Sequence, residues 1–147
     1  MSLFRHHAEP VTADVGTGFV ATEAPALQTA IKSALHVRET KDAPVPAELT
    51  FSAGAVERVV VAWRNRYVGF VPATHLALMR GQLVAAGSAP LVADGEVYWD
   101  GQWWRVWVGP PREADDLPRV GISYDELAPQ PPSIFGFPIS RLQRRDQ

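Results

Sequence analysis

A chain of 147 residues is about the size of one ordinary domain, and its 46% hydrophobic and 20% charged residues mark a folding globular protein rather than a disordered one. A formal net charge of -2 argues against a strongly basic nucleic-acid binder while leaving local patches open, and the absence of cysteine excludes a disulfide framework, a thiol nucleophile and sulfur-ligated zinc. The start MSLFRHHAEP has no apolar run behind its charges, and no stretch approaches the roughly 18 apolar residues of a spanning helix, so the expectation is a soluble cytoplasmic protein with no membrane partner.

In chain order, VTADVGTGFVA (11 to 21) carries Val11, Val15, Phe19 and Val20 between glycines and predicts a bent or bulged first strand. Thr22 or Glu23 then opens a helix reaching about residue 37, with Pro25 in its first turn and Leu27, Ile31, Ala34 and Leu35 at helical spacing. KDAPVPAEL (41 to 49) reads as a proline-containing loop. VERVVVAW (56 to 63) is the clearest strand; Arg64-Asn65 or Asn65-Arg66 makes its turn, and YVGFV (67 to 71) is its hairpin partner. Pro72 stops that strand and seeds a helix over 73 to 86, with Leu76, Met79, Leu83 and Val84 on one face and Gly87 at its end.

Four of the five tryptophans lie in VYWDGQWWRVWVG, residues 97 to 109. Taking Asp100-Gly101 as a two-residue turn pairs strands 91 to 99 and 102 to 108 with opposing numbers summing to 201. Val97, Trp99, Trp104, Val106 and Val108 then share one face, which reads as core. Tyr98, Trp103, Trp107 and a cross-strand Glu96/Arg105 pair share the other, which meets water, a ligand or another chain, or is buried under a helix or the tail. Beyond Gly109 the chain has prolines throughout and no sustained period, so residues 111 to 147 read as an extended tail, draped or mobile, in which SIFGFPI (133 to 139) is apolar enough to dock in cis or bind a partner.

No phosphate-cradling glycine loop, nucleophile elbow or metalloprotease motif occurs, so no enzyme, cofactor or metal site is expected. Of the histidines, His6-His7 reads as an accidental terminal pair, His75 as a surface residue of the second helix, and His36 as a cation suited to the end of the first. Two places could bind something. The turn Trp63, Arg64, Asn65, Arg66 and Tyr67, with Arg58, puts guanidiniums between aromatics, a combination that stacks bases and holds phosphates. An ordinary exposed hairpin tip explains the same residues. The face of Tyr98, Trp103, Arg105 and Trp107 is the second place.

The order strand, turn, Val68-Gly69-Phe70-Val71-Pro72, helix ending in glycine and a later strand pair resembles the HIRAN domain, a small β-barrel related in shape to OB folds, over residues 11 to 109. The resemblance implies a DNA-binding module that captures single-stranded 3′ ends, attached to remodelling or repair enzymes or found alone in bacteria. The family's Asn-Pro-Tyr/His-Asp-like segment is replaced here by LTFSAGAVERV (49 to 59), and an arginine-tyrosine cluster is missing from the first strand, so the residues that grip a DNA end have no clear counterparts.

The fold expected is α+β: a small twisted β-barrel or half-barrel of about five to six strands with two helices over residues 1 to 110, then the Pro-rich tail 111 to 147. The function expected is a non-enzymatic nucleic-acid-binding module, taking single-stranded DNA or its 3′ ends. The alternative is a protein-interaction or self-association domain that uses the aromatic sheet face and segment 133 to 139.

Overall fold

The computed structural model describes residues 8 to 129 and, as backbone only, the pairs 133–134 and 137–138; His6, His7 and the side chains of SIFGFPI lie outside the described residues. Among the described residues seven strands and two α-helices build an α+β half-barrel: β1 (Val11–Thr12), β2 (Phe19–Val20), α1 (Gln28–Ala34), β3 (Val45–Ala53), β4 (Val59–Trp63), β5 (Arg66–Phe70), α2 (Ala73–Ala86), β6 (Leu91–Trp99) and β7 (Trp104–Val108). The sheet runs β2-β7-β6-β3-β4-β5, antiparallel throughout, with β1 added parallel to β6. Its two ends meet at one bridge, where Thr22 and Phe70 exchange backbone hydrogen bonds of 2.8 and 3.1 Å. That approach requires Gly69, because a Cβ there would lie 2.5 Å from the Cβ of Ala21. Among the described residues, β8 (Ser133–Ile134) and β9 (Phe137–Pro138) pair antiparallel with each other.

The first strand divides. Asp14 Oδ1 accepts the Gly16 N–H at 2.9 Å and turns the chain, so Val11–Thr12 joins β6 while Phe19–Val20 joins β7. The first helix is also shorter than its apolar spacing implied. Ala24–Leu27 is a 3₁₀ turn, α1 ends at Ala34, and buried Gln28 ties it to β7 by donating to Trp104 O and accepting from Trp104 N.

Of the loop expected over 41 to 49, residues 41 to 44 are loop, whereas 45 to 49 are the first half of the central strand. Val45, Ala47, Leu49 and Phe51 point inward and Pro46, Glu48, Thr50 and Ser52 outward, the period-2 pattern of a half-buried strand. Pro46 is tolerated because β4 pairs only with Thr50–Ala53, leaving one edge of residues 45 to 49 without a ladder. The strand expected from residue 56 starts at Val59, since Ala55–Glu57 turns through left-handed Val56 (φ 54°) and Glu57 (φ 61°). The hairpin that follows has Arg64 and Asn65 at φ 48° and 63°, both positive as a type I′ turn requires. The helix α2 has the expected bounds, with Met79 buried and Leu76 and Leu83 packed beside it, but Val84 is 83% exposed and lies off that face.

The Trp hairpin has a different register from the expected one. Trp99 pairs with Trp104, so opposing numbers sum to 203 and the loop is four residues, Asp100 to Trp103. The Asp100 carboxylate accounts for this: Oδ1 accepts the N–H groups of Gln102 and Trp103 at 2.8 Å each, an Asx-type cap that a two-residue turn could not make. A slip by two preserves parity, so both faces keep their expected residues from the strands. Val97, Trp104, Val106 and Val108 enter the main core with Leu49, Val59, Val61, Val68 and Ile31.

Candidate nucleic-acid interface

The second face of the Trp hairpin is not open. Residues 110 to 127 lie across it as a strap, and Val20, Tyr98, Trp107 and Leu117 form a second core with Val120 and Tyr124 beside them. Tyr98 and Trp107 are each 3% exposed. The Tyr98 hydroxyl donates to Pro118 O at 2.7 Å, the Trp107 indole N–H donates to Pro110 O at 2.9 Å, and the Tyr124 hydroxyl donates to Val20 O at 2.7 Å. Burial raises the pKa of both tyrosines, so their hydroxyls stay protonated and hold these bonds. The stacking platform expected from Tyr98, Trp103, Arg105 and Trp107 is therefore corrected: tryptophan and tyrosine area is costly to leave in water, and the strap covers it.

Arg105 fastens the strap. It is fully buried and donates to both carboxylate oxygens of buried Asp125 at 3.0 and 2.9 Å, with Nε 3.3 Å from Asp100 Oδ2. Burial opposes its charge, but the hydrogen bonds and charges of Asp125 and Asp100 outweigh burial and raise its pKa. The expected Glu96/Arg105 pair does not form, since the register sets Arg105 opposite Tyr98 and Glu96 opposite Trp107; Glu96 instead accepts the Arg112 N–H at 3.1 Å. Trp103 sits in the turn rather than in the strand, its indole N–H buried without a hydrogen-bond partner among the described residues.

A second fastening was missed from the sequence. Glu23, 1% exposed and left-handed at φ 69°, accepts the N–H groups of Glu126 and Leu127 at 2.9 and 2.7 Å, and its own N–H donates to Asp125. Arg58 Nη2 lies 3.3 Å from Glu23 and 3.7 Å from Glu126. An arginine inside the apolar strand WRVWV needs a buried anion, which was the one signal that the tail supplies a carboxylate.

The hairpin residues divide between structure and surface. Trp63 is 3% exposed and belongs to the main core, so it cannot stack on a ligand. Arg64 lies over the Trp63 ring, donates to both oxygens of Glu39 and caps the end of α1 through Ala34 O at 2.9 Å; the Arg64 hydrogen bond holds the Glu39 carboxyl down at about 2. Asn65 and Arg66 are exposed at the tip, with Arg66 Nε on Ser33 Oγ at 3.0 Å. Tyr67 is 61% exposed.

Tyr67, Phe70, Arg58 and Val60 line an open groove of about 490 Å³ against the loop Ala53–Val56. The Arg58 guanidinium stands 4.5 Å from the centre of the Phe70 ring. Arg66, next to Tyr67 at the hairpin tip, pairs with Trp63 in register and turns to Ser33 of α1, where Lys32 is also exposed. No helix among the described residues is long and apolar enough to cross a membrane. Comparison with known proteins finds no matching family model, curated protein or solved structure.

Proposed function

We propose that the chain is a non-enzymatic module of the cytoplasm that binds single-stranded nucleic acid along the β4–β5 hairpin. The observation that carries this reading is the groove in which the exposed Tyr67 ring, Phe70 and Arg58 lie together beside the exposed tip Asn65-Arg66. Aromatic faces accept any base and guanidiniums hold the backbone, so the pair works without a basic protein overall. The likeness of VGFVP and its neighbours to the HIRAN domain supports the same class of ligand. Tyr98, Trp63, Arg105 and Trp107 have structural work in this reading, and Arg64 shapes the tip.

The test is anisotropy of a labelled single-stranded oligonucleotide, with free and blocked 3′ ends and a duplex control. Tyr67→Ala is expected to weaken binding roughly tenfold, the effect of one lost stacking contact of about 1–3 kcal/mol. Arg66→Glu is expected to flatten the salt dependence, since a phosphate contact contributes about one unit of slope. Unchanged affinity in both variants overturns this site.

A second reading, protein interaction, is favoured by Val56, a β-branched residue held at φ 54° with 90% of its surface exposed. Strained backbone of this kind clusters at ligand clamps and switch segments. Under this reading Val56→Asp abolishes capture of a protein partner, and the intact chain shows no saturable oligonucleotide binding in the same anisotropy assay.

A further inference from the structure

Helix α2 is unusually apolar on its outer side. Ala77, Leu78, Gly81 and Val84 are not covered by the barrel, although a surface helix normally turns polar residues outward. Ala77, Arg80, Gly81, Leu83 and Val84 form one wall of a groove of about 500 Å³, faced by Ala53, Gly54, Glu57 and Arg58 of the loop before β4, with Arg80 paired to Glu57 between the two walls at 3.4 Å. Gly81 opens onto free space, with nothing within 4 Å of where its Cβ would be.

The path of the chain says what reaches this groove. Glu23 holds the N–H of Leu127, and the Glu126 carboxylate lies 3.7 Å from Arg58, a residue of the groove itself. The chain therefore leaves the barrel at the groove's edge. Residues 128 to 132 can span up to about 17 Å before SIFGFPI begins. Within that segment Ser133–Ile134 and Phe137–Pro138 pair with each other and, among the described residues, with no other strand, and an isolated strand pair is marginal in water unless packed on another element. The Trp face is taken by the strap, and the outer face of α2 is apolar and within reach.

We infer that segment 133–139 docks in cis on the groove between the outer face of α2 and loop 54–58, covering Val84 and Gly81 with Ile134, Phe135 and Phe137. The barrel thus carries two straps in series: residues 110 to 127 over the Trp face, and the apolar hairpin over α2. The groove at Tyr67 and Phe70 shares Ala53, Gly54 and Arg58 with this one but has no residue of α2, so labelling at Val84 reads the docking separately from oligonucleotide binding at Tyr67.

The chain has no cysteine, so one introduced thiol reports on its own site. In the full chain, Val84→Cys is expected to react with a maleimide at least roughly tenfold more slowly than Val37→Cys, whose side chain stands free at 96% exposure. Adding Phe135→Ser and Phe137→Ser to Val84→Cys should restore the fast rate, at every protein concentration, with near-ultraviolet circular dichroism unchanged. Three results each overturn the inference: fast labelling of Val84→Cys in the otherwise intact chain, slow labelling that survives loss of both phenylalanines, or protection that disappears on dilution, which would assign the cover to a second copy.

Discussion

Arg105 shows how one residue can read as a ligand contact and serve as a fastening. Its guanidinium and the Asp125 carboxylate are both fully buried, and removing one partner strands the other charge away from water. Arg105→Met is therefore expected to destabilise the fold by about 3–5 kcal/mol, while Arg105→Met with Asp125→Leu should recover much of the loss; urea denaturation of the three proteins decides it. Glu39 gives a pH signature of opposite exposure. Its carboxyl is lowered from 4.5 to about 2 by the Arg64 hydrogen bond, so the unfolded chain binds more protons between those values. The stabilisation is present above about pH 4.5 and is lost as pH falls toward 2. Water around the partly exposed pair limits it to about 1 kcal/mol. Glu39→Gln should flatten that acid limb in a pH series of thermal melts.

Among elements, what could be read in advance followed from period and parity. Alternation along residues 96 to 99 and 104 to 108 assigns both faces correctly under either register, because an even slip moves no strand side chain across the sheet, and of the residues assigned to a face only Trp103 passes from strand to turn. Helix α2 was legible from Pro72 and Gly87, which end its neighbours by backbone chemistry alone. Residues 45 to 49 were hidden because two prolines signal a loop wherever the tolerant edge of the strand is not yet known. The candidate site was half legible: Tyr67 and Arg66 are exposed as the turn sequence suggested, whereas Trp63 and the Trp hairpin were absorbed into two cores whose covering segments lie far along the chain. At this scale Gly81→Ala is expected to raise stability by about 0.5–1 kcal/mol, since a helix glycine with open space beside it gives up backbone entropy without a packing gain; the midpoint of chemical denaturation measures it.

For the whole molecule, the strap makes residues 110 to 127 part of the folded unit. Trp107→Ala, which empties the second core, is expected to cost about 3–5 kcal/mol. Removing everything after residue 110 should expose Tyr98 and Trp107 and strand Arg105, so red-shifted tryptophan emission and self-association are expected of the shortened chain.

The Glu23 contact with Leu127 joins positions 104 apart in the chain. A ribosome delivers residues 125 to 127 only after every strand of the barrel has been made, so until then Glu23 and Arg105 wait without the partners they have in the finished fold. The barrel thus becomes safe from aggregation only when the segment through Asp125 has joined it, and arrested nascent chains ending before and after Asp125 should differ sharply in protease resistance once both lengths have cleared the exit tunnel.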